Sequence, residues 1–519
     1  MLRNSHRPRT SYRRIPRGAW IALTLLAIAG TLLVEQTIRR TPFVRDQAVA
    51  ALNEKFASKV EIETLQVSGF PRPQVIGEGI IVRADGRTDV PPLLTVGSFS
   101  ASAGLMGLWG KPLHLTNVEL DGLDMSIPAG GVRSAAGTSP KGKVVIDTMV
   151  AGKATLEIAS KDPARLPRHF DILNLVLTGI GEAEGAAFQA EVVNPKPRGT
   201  ITTHGTFGPW LTNNPRGTPI RGDYRFSDAD LNTIKGIGGI LSSTGSYKGV
   251  LERIGVTGTT DTPDFRIDVS GQPVPLSTRF DAVVDGTNGN TWLERVHARL
   301  RDTEILASGA VIRARDVKGR EISLDVTIPN GRLEDVLALA IKSVKPIMTG
   351  AITLKTHMVI PARDASVIDK LQLAGEFELA QAHFTNVNVQ RRINTLSRKG
   401  QGDDAGPDEG ASAVSNLRGR FAMRDAAIHF SQLAFSVEGA TVQLAGTYDL
   451  RGQTIDFAGD LLLDAPLAEM TTGIKALAAR AVQPFFNRKG GGSKIPIRIS
   501  GTRDKPAFGL DAKRAFLKG

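Results

Sequence analysis

Residues 417–458 read LRGRFAMRDAAIHFSQLAFSVEGATVQLAGTYDLRGQTIDFA, and the fold class is decided there. Gly419, Phe421 and Met423 alternate with Arg418, Arg420 and Arg424. Leu433, Phe435 and Val437 run into a Glu438-Gly439 turn, after which Ala440, Val442 and Leu444 alternate with Thr441 and Gln443. Ile455 and Phe457 then alternate with Asp456 and Ala458. A period of two places successive side chains on opposite sides of a strand, so each segment offers one apolar and one polar face. A meander of half-buried strands is predicted.

The same device extends upstream. Glu61 to Val67, Gln74 to Val82, Leu93 to Ala101, Leu113 to Leu120, Leu123 to Pro128 and Ala154 to Ile158 read as strands, with Ala84-Asp85-Gly86 and Asp121-Gly122 as turns. Ser242 to Ile254 followed by Val256 to Thr259, and Trp292 to Ala298 followed by Ser308 to Arg313, read as further strand pairs. Helices are sparse. Leu333, Val336, Leu337, Ala340, Ile341 and Val344 predict one near 332–345, and Leu467 to Phe485 behind Pro466 predict another near 466–485. Residues 129–143, 398–415 and 488–494 have loop composition, the second read as a disordered loop with its Asp403-Asp404 and Asp408-Glu409 pairs. The expected class is mainly β, an elongated, twisted antiparallel sheet with a few short amphipathic helices.

The N-terminus has a different composition. Arg3, Arg7, Arg9, Arg13, Arg14 and Arg17 form a basic tail, residues 1–17, before an uncharged run from Gly18 to Val34. As a helix that run spans roughly 25 Å, close to the hydrocarbon thickness of a bilayer. A transmembrane helix over 18–34 is predicted, with the arginines holding the tail in the cytoplasm and the body outside it. A cleaved signal peptide ending near Ala27-Ile28-Ala29 is the alternative, and Arg13-Arg14 lacks the bulky apolar run a twin-arginine signal needs. Phe43, Val44, Val49, Leu52 and Phe56 predict a juxtamembrane amphipathic helix within 35–59, followed by β regions at 60–328 and 329–519.

Composition excludes several classes. The net charge is +12, but setting aside the six tail arginines leaves 58 Lys and Arg against 52 Asp and Glu, so half the basicity is topogenic and nucleic acid is not an expected partner. There is no cysteine, which removes disulfides, thiolate nucleophiles and Cys-based metal sites. The eight histidines never fall in an HExxH, and the nearest phosphate-loop match, Gly137 to Lys143, has Val144 where a magnesium-binding hydroxyl belongs. Gly236, Gly238 and Gly239 form no GxGxxG, and no GxSxG elbow occurs. Nothing here points to an enzyme, a metal or a cofactor.

The order of features resembles the bacterial AsmA family, inner-membrane-anchored periplasmic β-rich proteins related in architecture to TamB-like and bridge-like lipid transfer proteins. The likeness is carried by the anchor, by Phe56 to Ile81 with Gly69-Phe70-Pro71, by LQLAGEFELAQAHFTNVNVQRRINTLS at 371–397, and by the stretch from Val437 to IRISGTRDKPAFGLD at 497–511. It implies a curved sheet whose concave face is an apolar trough for phospholipid acyl chains, supporting lipid transport from the bacterial inner membrane toward the outer membrane. The chain is short for that family, which leaves room for an envelope protein partner or another copy. Candidate trough-lining residues are Phe421, Met423, Phe435, Val437, Val442, Leu444, Ile455 and Phe457. From pattern alone, a sandwich that buries the same faces against each other is the favoured reading, and the resemblance reverses that preference. A scaffold that engages outer-membrane protein precursors through sheet edges is the functional alternative.

Overall fold

The computed structural model describes residues 58–68, 74–84, 91–92, 94–103, 113–127, 144–158, 168–182, 184–209, 211, 214–313, 319–343, 345–385, 387–401, 415–465, 492–503 and 505–511. The predicted tail, transmembrane helix 18–34, juxtamembrane helix up to residue 57, and helix 466–485 lie outside these residues, as does most of the 398–415 loop. Among the described residues, no helix is long and apolar enough to cross a membrane. The chain divides into two compact units, residues 1–189 and 190–519.

The first unit is one ladder of six strands, β1 (Ser58–Ser68), β2 (Gln74–Ala84), β3 (Leu94–Ser102), β4 (Leu113–Ile127), β5 (Val144–Ile158) and β6 (Arg168–Ile180), paired in chain order. Val60 and Ile62 pair with Val82 and Ile80, and these pair in turn with Leu94 and Val96, so one face is apolar along its length. Val60, Ile62 and Val82 are the buried centre of that face, with Leu65, Leu94 and Phe99 packed on them. Strand β7 (Ala186–Pro195) falls across the division.

In the second unit, β8 (Arg198–Phe207), β9 (Pro219–Asp230), β10 (Ile237–Gly238), β11 (Ile240–Val250), β12 (Arg253–Ile267), β13 (Val274–Val284), β14 (Thr291–Leu300), β15 (Thr303–Arg313) and β16 (Arg320–Arg332) come first. They are followed by β17 (Met348–Ile360), β18 (Gln372–Phe384), β19 (Ser415–Arg424), β20 (Ala427–Val437), β21 (Ala440–Asp449), β22 (Thr454–Leu463), β23 (Ser493–Thr502) and β24 (Pro506–Leu510). Every consecutive pair from β11 to β24 is antiparallel, β9 sits between β8 and β11, and short β10 pairs with the end of β12. Among the described residues, three α-helices, α1 (Leu333–Ala338), α2 (Val367–Lys370) and α3 (Val387–Gly400), sit at strand ends.

The buried residues gather under these helices. Leu333 of α1 packs with Ile328, Ile352 and Leu379, and Ala338 with Val274 and Leu300. Ile393 of α3 packs with Val437, Ala440 and Leu463. Ile368 and Leu371, in and beside α2, pack on Met423, Ala426 and Leu450. Between these rims the face is only half-buried: no aromatic ring is fully buried among the described residues, and Leu300, Leu463 and Val274 are the largest apolar side chains that are. Face-to-face sheets would enclose their large side chains completely, so the sandwich is replaced by an open sheet.

Several local expectations are corrected. Strands β4 and β5 pair in parallel, with Leu113 beside Val144 and Ile127 beside Ile158, whereas an antiparallel ladder was expected throughout. Asp121-Gly122 is no turn; Gly122 takes a φ of +64° inside the continuous β4. Strand β11 ends at Val250 and β12 starts at Arg253, so the turn falls before the expected break at Gly255. Helix α1 stops at Ala338, short of 345, because the carbonyls of Ile341 and Ser343 accept from the Gln272 side-chain amide at 2.5 and 2.7 Å and leave the helical pattern. Helix α3 occupies a segment for which no helix was predicted and includes Arg398, which was expected in a loop.

Candidate functional site

Strand register turns the sequence alternation into continuous rows across the second unit. One row runs from Gly205 through Gly222, Tyr247, Val256, Ala282, Leu293, Gly309, Leu324, Met358, Leu373, Met423, Ile428 and Tyr448 to Ile455. Another runs from Thr203 through Tyr224, Gly245, Gly258, Phe280, Val296, Ala307, Val326, Thr356, Gly375, Phe421, Phe430, Gly446 and Phe457 to Ile499 and Phe508. Neither row contains a charged residue. The opposite face carries exposed cross-strand pairs such as Arg420 with Glu376 at 3.7 Å, His357 with Asp325 at 2.8 Å and Arg498 with Asp456 at 2.8 Å. Such pairs add little stability but keep that face solvated.

All eight candidate residues fall on the apolar face. Phe421 and Met423 lie on β19, Phe435 and Val437 on β20, Val442 and Leu444 on β21, and Ile455 and Phe457 on β22. Phe435 stands opposite Val442, and Met423 connects through Ile428 and Tyr448 to Ile455. They are unequally accessible. Phe421, Phe435, Leu444 and Ile455 are half-buried, whereas Met423 lies in the cluster beneath α2, Val437 in the cluster beneath α3, and Val442 and Phe457 are buried as well.

Aromatic rings fill the spaces above glycines on neighbouring strands. A Cβ at Gly419 would meet the Phe377 ring at 2.9 Å, and one at Gly446 would meet Phe457 Cδ1 at 2.7 Å. Phe430 binds the patch together, with ring centroids 6.2 Å from Phe377, 6.5 Å from Phe421 and 5.7 Å from Phe457. Each such pair adds about 1 kcal/mol beyond its buried area. At the other end of the unit, tyrosines take the same places: a Cβ at Gly258 would meet Tyr224 Oη at 2.6 Å, and one at Gly222 would meet Tyr247 Oη at 2.6 Å. Sequence reading missed this second patch, because glycines and hydroxyl residues at alternating positions carry too little hydrophobic signal.

The hydroxyls of that patch are linked. Tyr224 Oη lies 3.1 Å from Ser243 Oγ, Tyr247 Oη lies 2.7 Å from Thr203 Oγ1, and the hydroxyls of Thr260 and Thr278 are 2.6 Å apart. Burial pushes both phenols above their usual pKa, and the hydrogen bonds to Ser243 and Thr203 work against that rise; the Asp223 charge adds to it at Tyr247. Both stay neutral at physiological pH.

The two rims of the sheet meet. Strands β16 to β18 are each 13 residues long, so opposite rims of a flat sheet would stand roughly 40 Å apart. Yet the connection between β9 and β11, on one rim, touches the connection between β17 and β18, on the other. Val367 N–H donates to the Lys235 carbonyl at 3.0 Å, and Lys235 Nζ pairs with Asp364 at 2.7 Å. Gly236 has a φ of +98°, and a Cβ there would lie 2.6 Å from Val367 N, so the crossing is too close for any side chain. The Lys235 hydrogen bond holds the Asp364 carboxyl below its usual pKa. Burial, followed by the nearby Lys196 charge, pushes the Lys370 ammonium down.

Repeated register shifts supply the bend. They interrupt β9–β11, β12–β13, β13–β14, β14–β15, β16–β17 and β17–β18, and each extra residue kinks its strand and adds twist. Because Ile368 and Leu371 pack on Leu373, Met423 and Ile428, the crossing segment lies over the apolar face. That face is therefore the concave one between β9 and β18, and it is roofed where the rims touch.

Among the described residues no three His, Asp or Glu side chains converge to hold a metal ion. No family model, curated protein or solved structure matches the chain.

Proposed function

We propose that the chain is an extracytoplasmic lipid carrier of the AsmA type, anchored in the bacterial inner membrane by residues 18–34 and holding phospholipid acyl chains against the apolar face of its second unit. The observation that carries this reading is a concave, charge-free face whose central side chains are left half-exposed by the protein itself. Exposing a chain of about 16 carbons to water costs on the order of 12 kcal/mol at ~0.8 per methylene, so a carrier needs an unbroken apolar lining. Rows of Leu, Ile, Met and Phe joined strand to strand meet that need without a cofactor.

The test is photo-crosslinking in the cell at Leu444, on the concave face, against Gln443, on the solvated one. Lipid adducts at Leu444 and none at Gln443 are expected; equal labelling at both overturns the proposal. Val442 is a poorer probe position, being 8% exposed.

A second reading, a scaffold for outer-membrane protein precursors, draws on β24. Among the described residues it pairs only with β23, and its Phe508 and Leu510 are 63% and 62% exposed. An open edge with apolar side chains suits strand addition. Under that reading the adducts from a probe at Phe508 are protein, and a charge at Leu444 is tolerated.

A further inference from the structure

The two tyrosines present their polarity in one sense only, which follows from counting protons. A hydroxyl has one proton to give. Thr203 gives its own to the Asp223 carbonyl at 2.8 Å, so the 2.7 Å contact between Thr203 Oγ1 and Tyr247 Oη is a bond donated by the tyrosine. Ser243 gives its own to the Thr259 carbonyl at 2.9 Å, so Tyr224 donates across the 3.1 Å contact to Ser243. Both phenolic protons are thereby committed. Among the described residues nothing donates to either phenolic oxygen, and each keeps lone pairs for an outside donor.

The positions of these oxygens matter as much as their polarity. Each ring lies over a glycine, Tyr224 over Gly258 and Tyr247 over Gly222, so the oxygens sit at the floor of the concave face. They stand on the same two rows that, further along, hold Phe421, Phe457, Met423 and Ile455. An amphiphile lying along these rows meets hydrogen-bond acceptors at β9 to β11 and, on the strands beside them, the apolar side chains of Val256, Phe280, Ala282, Leu293 and Val296. Burial keeps both phenols neutral, so they offer acceptors without charge.

We infer that Tyr224 and Tyr247 form a subsite for the hydrogen-bond-donating polar part of a lipid, a primary ammonium or a hydroxyl, and discriminate against headgroups that have no donor. This rests on the lipid-carrier reading and adds the headgroup chemistry that the trough selects. A trimethylammonium headgroup has no N–H to give and leaves both oxygens unpaired, as does an ester or a phosphate diester. Thr203 and Ser243 are positioning residues, since they act by fixing the tyrosine protons.

The full-length protein, incubated with vesicles of equimolar phosphatidylethanolamine, phosphatidylglycerol and phosphatidylcholine with identical acyl chains, is read by native mass spectrometry. The unaltered chain is expected to retain the ethanolamine or glycerol lipid over the choline lipid by about fivefold, the worth of one neutral hydrogen bond. The ethanolamine and glycerol arms separate an ammonium donor from a hydroxyl donor. Tyr224→Phe with Tyr247→Phe keeps both rings over their glycines and should bring the three lipids to equal retention with total occupancy unchanged. Thr203→Val frees the Tyr247 proton to point into the trough and should weaken the preference while Tyr247 itself is intact. No preference in the unaltered chain, or the same preference in the double variant, overturns the subsite. Retention of no lipid at all overturns the carrier reading instead.

Discussion

The phenylalanine patch at β18 to β22 and the tyrosine patch at β9 to β12 solve one structural problem with two chemistries. In both, a strand carries a glycine where its neighbour carries a ring, and the ring lies down in the space a side chain would have filled. In the first patch the rings meet one another at 5.7 to 6.5 Å and hold together by ring-to-ring contact. In the second they are tied to Ser243 and Thr203 by hydrogen bonds. Ring-over-glycine packing thus flattens the concave face whatever the ring's substituent, and the substituent alone sets what that stretch offers an occupant.

The largest effect expected from breaking this parallel comes from Phe430→Ala. It removes the ring in contact with Phe377, Phe421 and Phe457 and should cost about 3 kcal/mol in denaturant unfolding. Tyr224→Phe keeps the ring and should cost no more than about 1 kcal/mol. Equal losses would show that the two patches are not held in different ways.

Alkaline titration gives an effect of intermediate size. Both phenols have folded pKa values above 10.0, because burial favours the neutral form. The stability this contributes is fully present below the unfolded value near 10, and it is lost as pH rises from there through the folded values. Ultraviolet titration should find two of the four tyrosines ionising late, with near-ultraviolet dichroism of the tyrosine patch lost before that of the phenylalanine patch. Four tyrosines ionising together at pH 10 would contradict the burial argument.

The smallest effect belongs to the rim contact. Asp364 is depressed from its usual pKa by Lys235, so its favourable form is present above about pH 4 and is lost only as pH falls through the folded value. Between pH 5 and 8 the pair should not respond to pH, though it should respond to salt. Asp364→Asn should leave the melting temperature in place and speed hydrogen exchange at the Val367 amide, which donates across the crossing. Unchanged exchange would mean that the backbone bond and Gly236 alone keep the rims together.

The legible part of this molecule is what a local period can encode. Alternation over 417–458 placed Phe421, Leu444 and Phe457 on one side, and the Glu438-Gly439 turn falls between Val437 and Ala440, as read. What escaped depends on partners far apart in the chain. Gly258 makes sense only beside Tyr224, 34 positions earlier, and Gly236 only beside Val367, 131 positions later. Helix α3 escaped because its sequence, VNVQRRINTLSRKG, is largely polar, with Ile393 and Leu396 reaching the core. The parallel pairing of β4 with β5 has no marker in either strand, since direction leaves the alternation unchanged.

Where Val367 meets Lys235 the trough is roofed, and anything slender lying beneath has no sideways way out. On the proposed carrier reading, occupants there move lengthwise, in single file, and leave in the order in which they arrived. On that reading, a few residues at a rim crossing would thereby impose a queue on what the concave face carries.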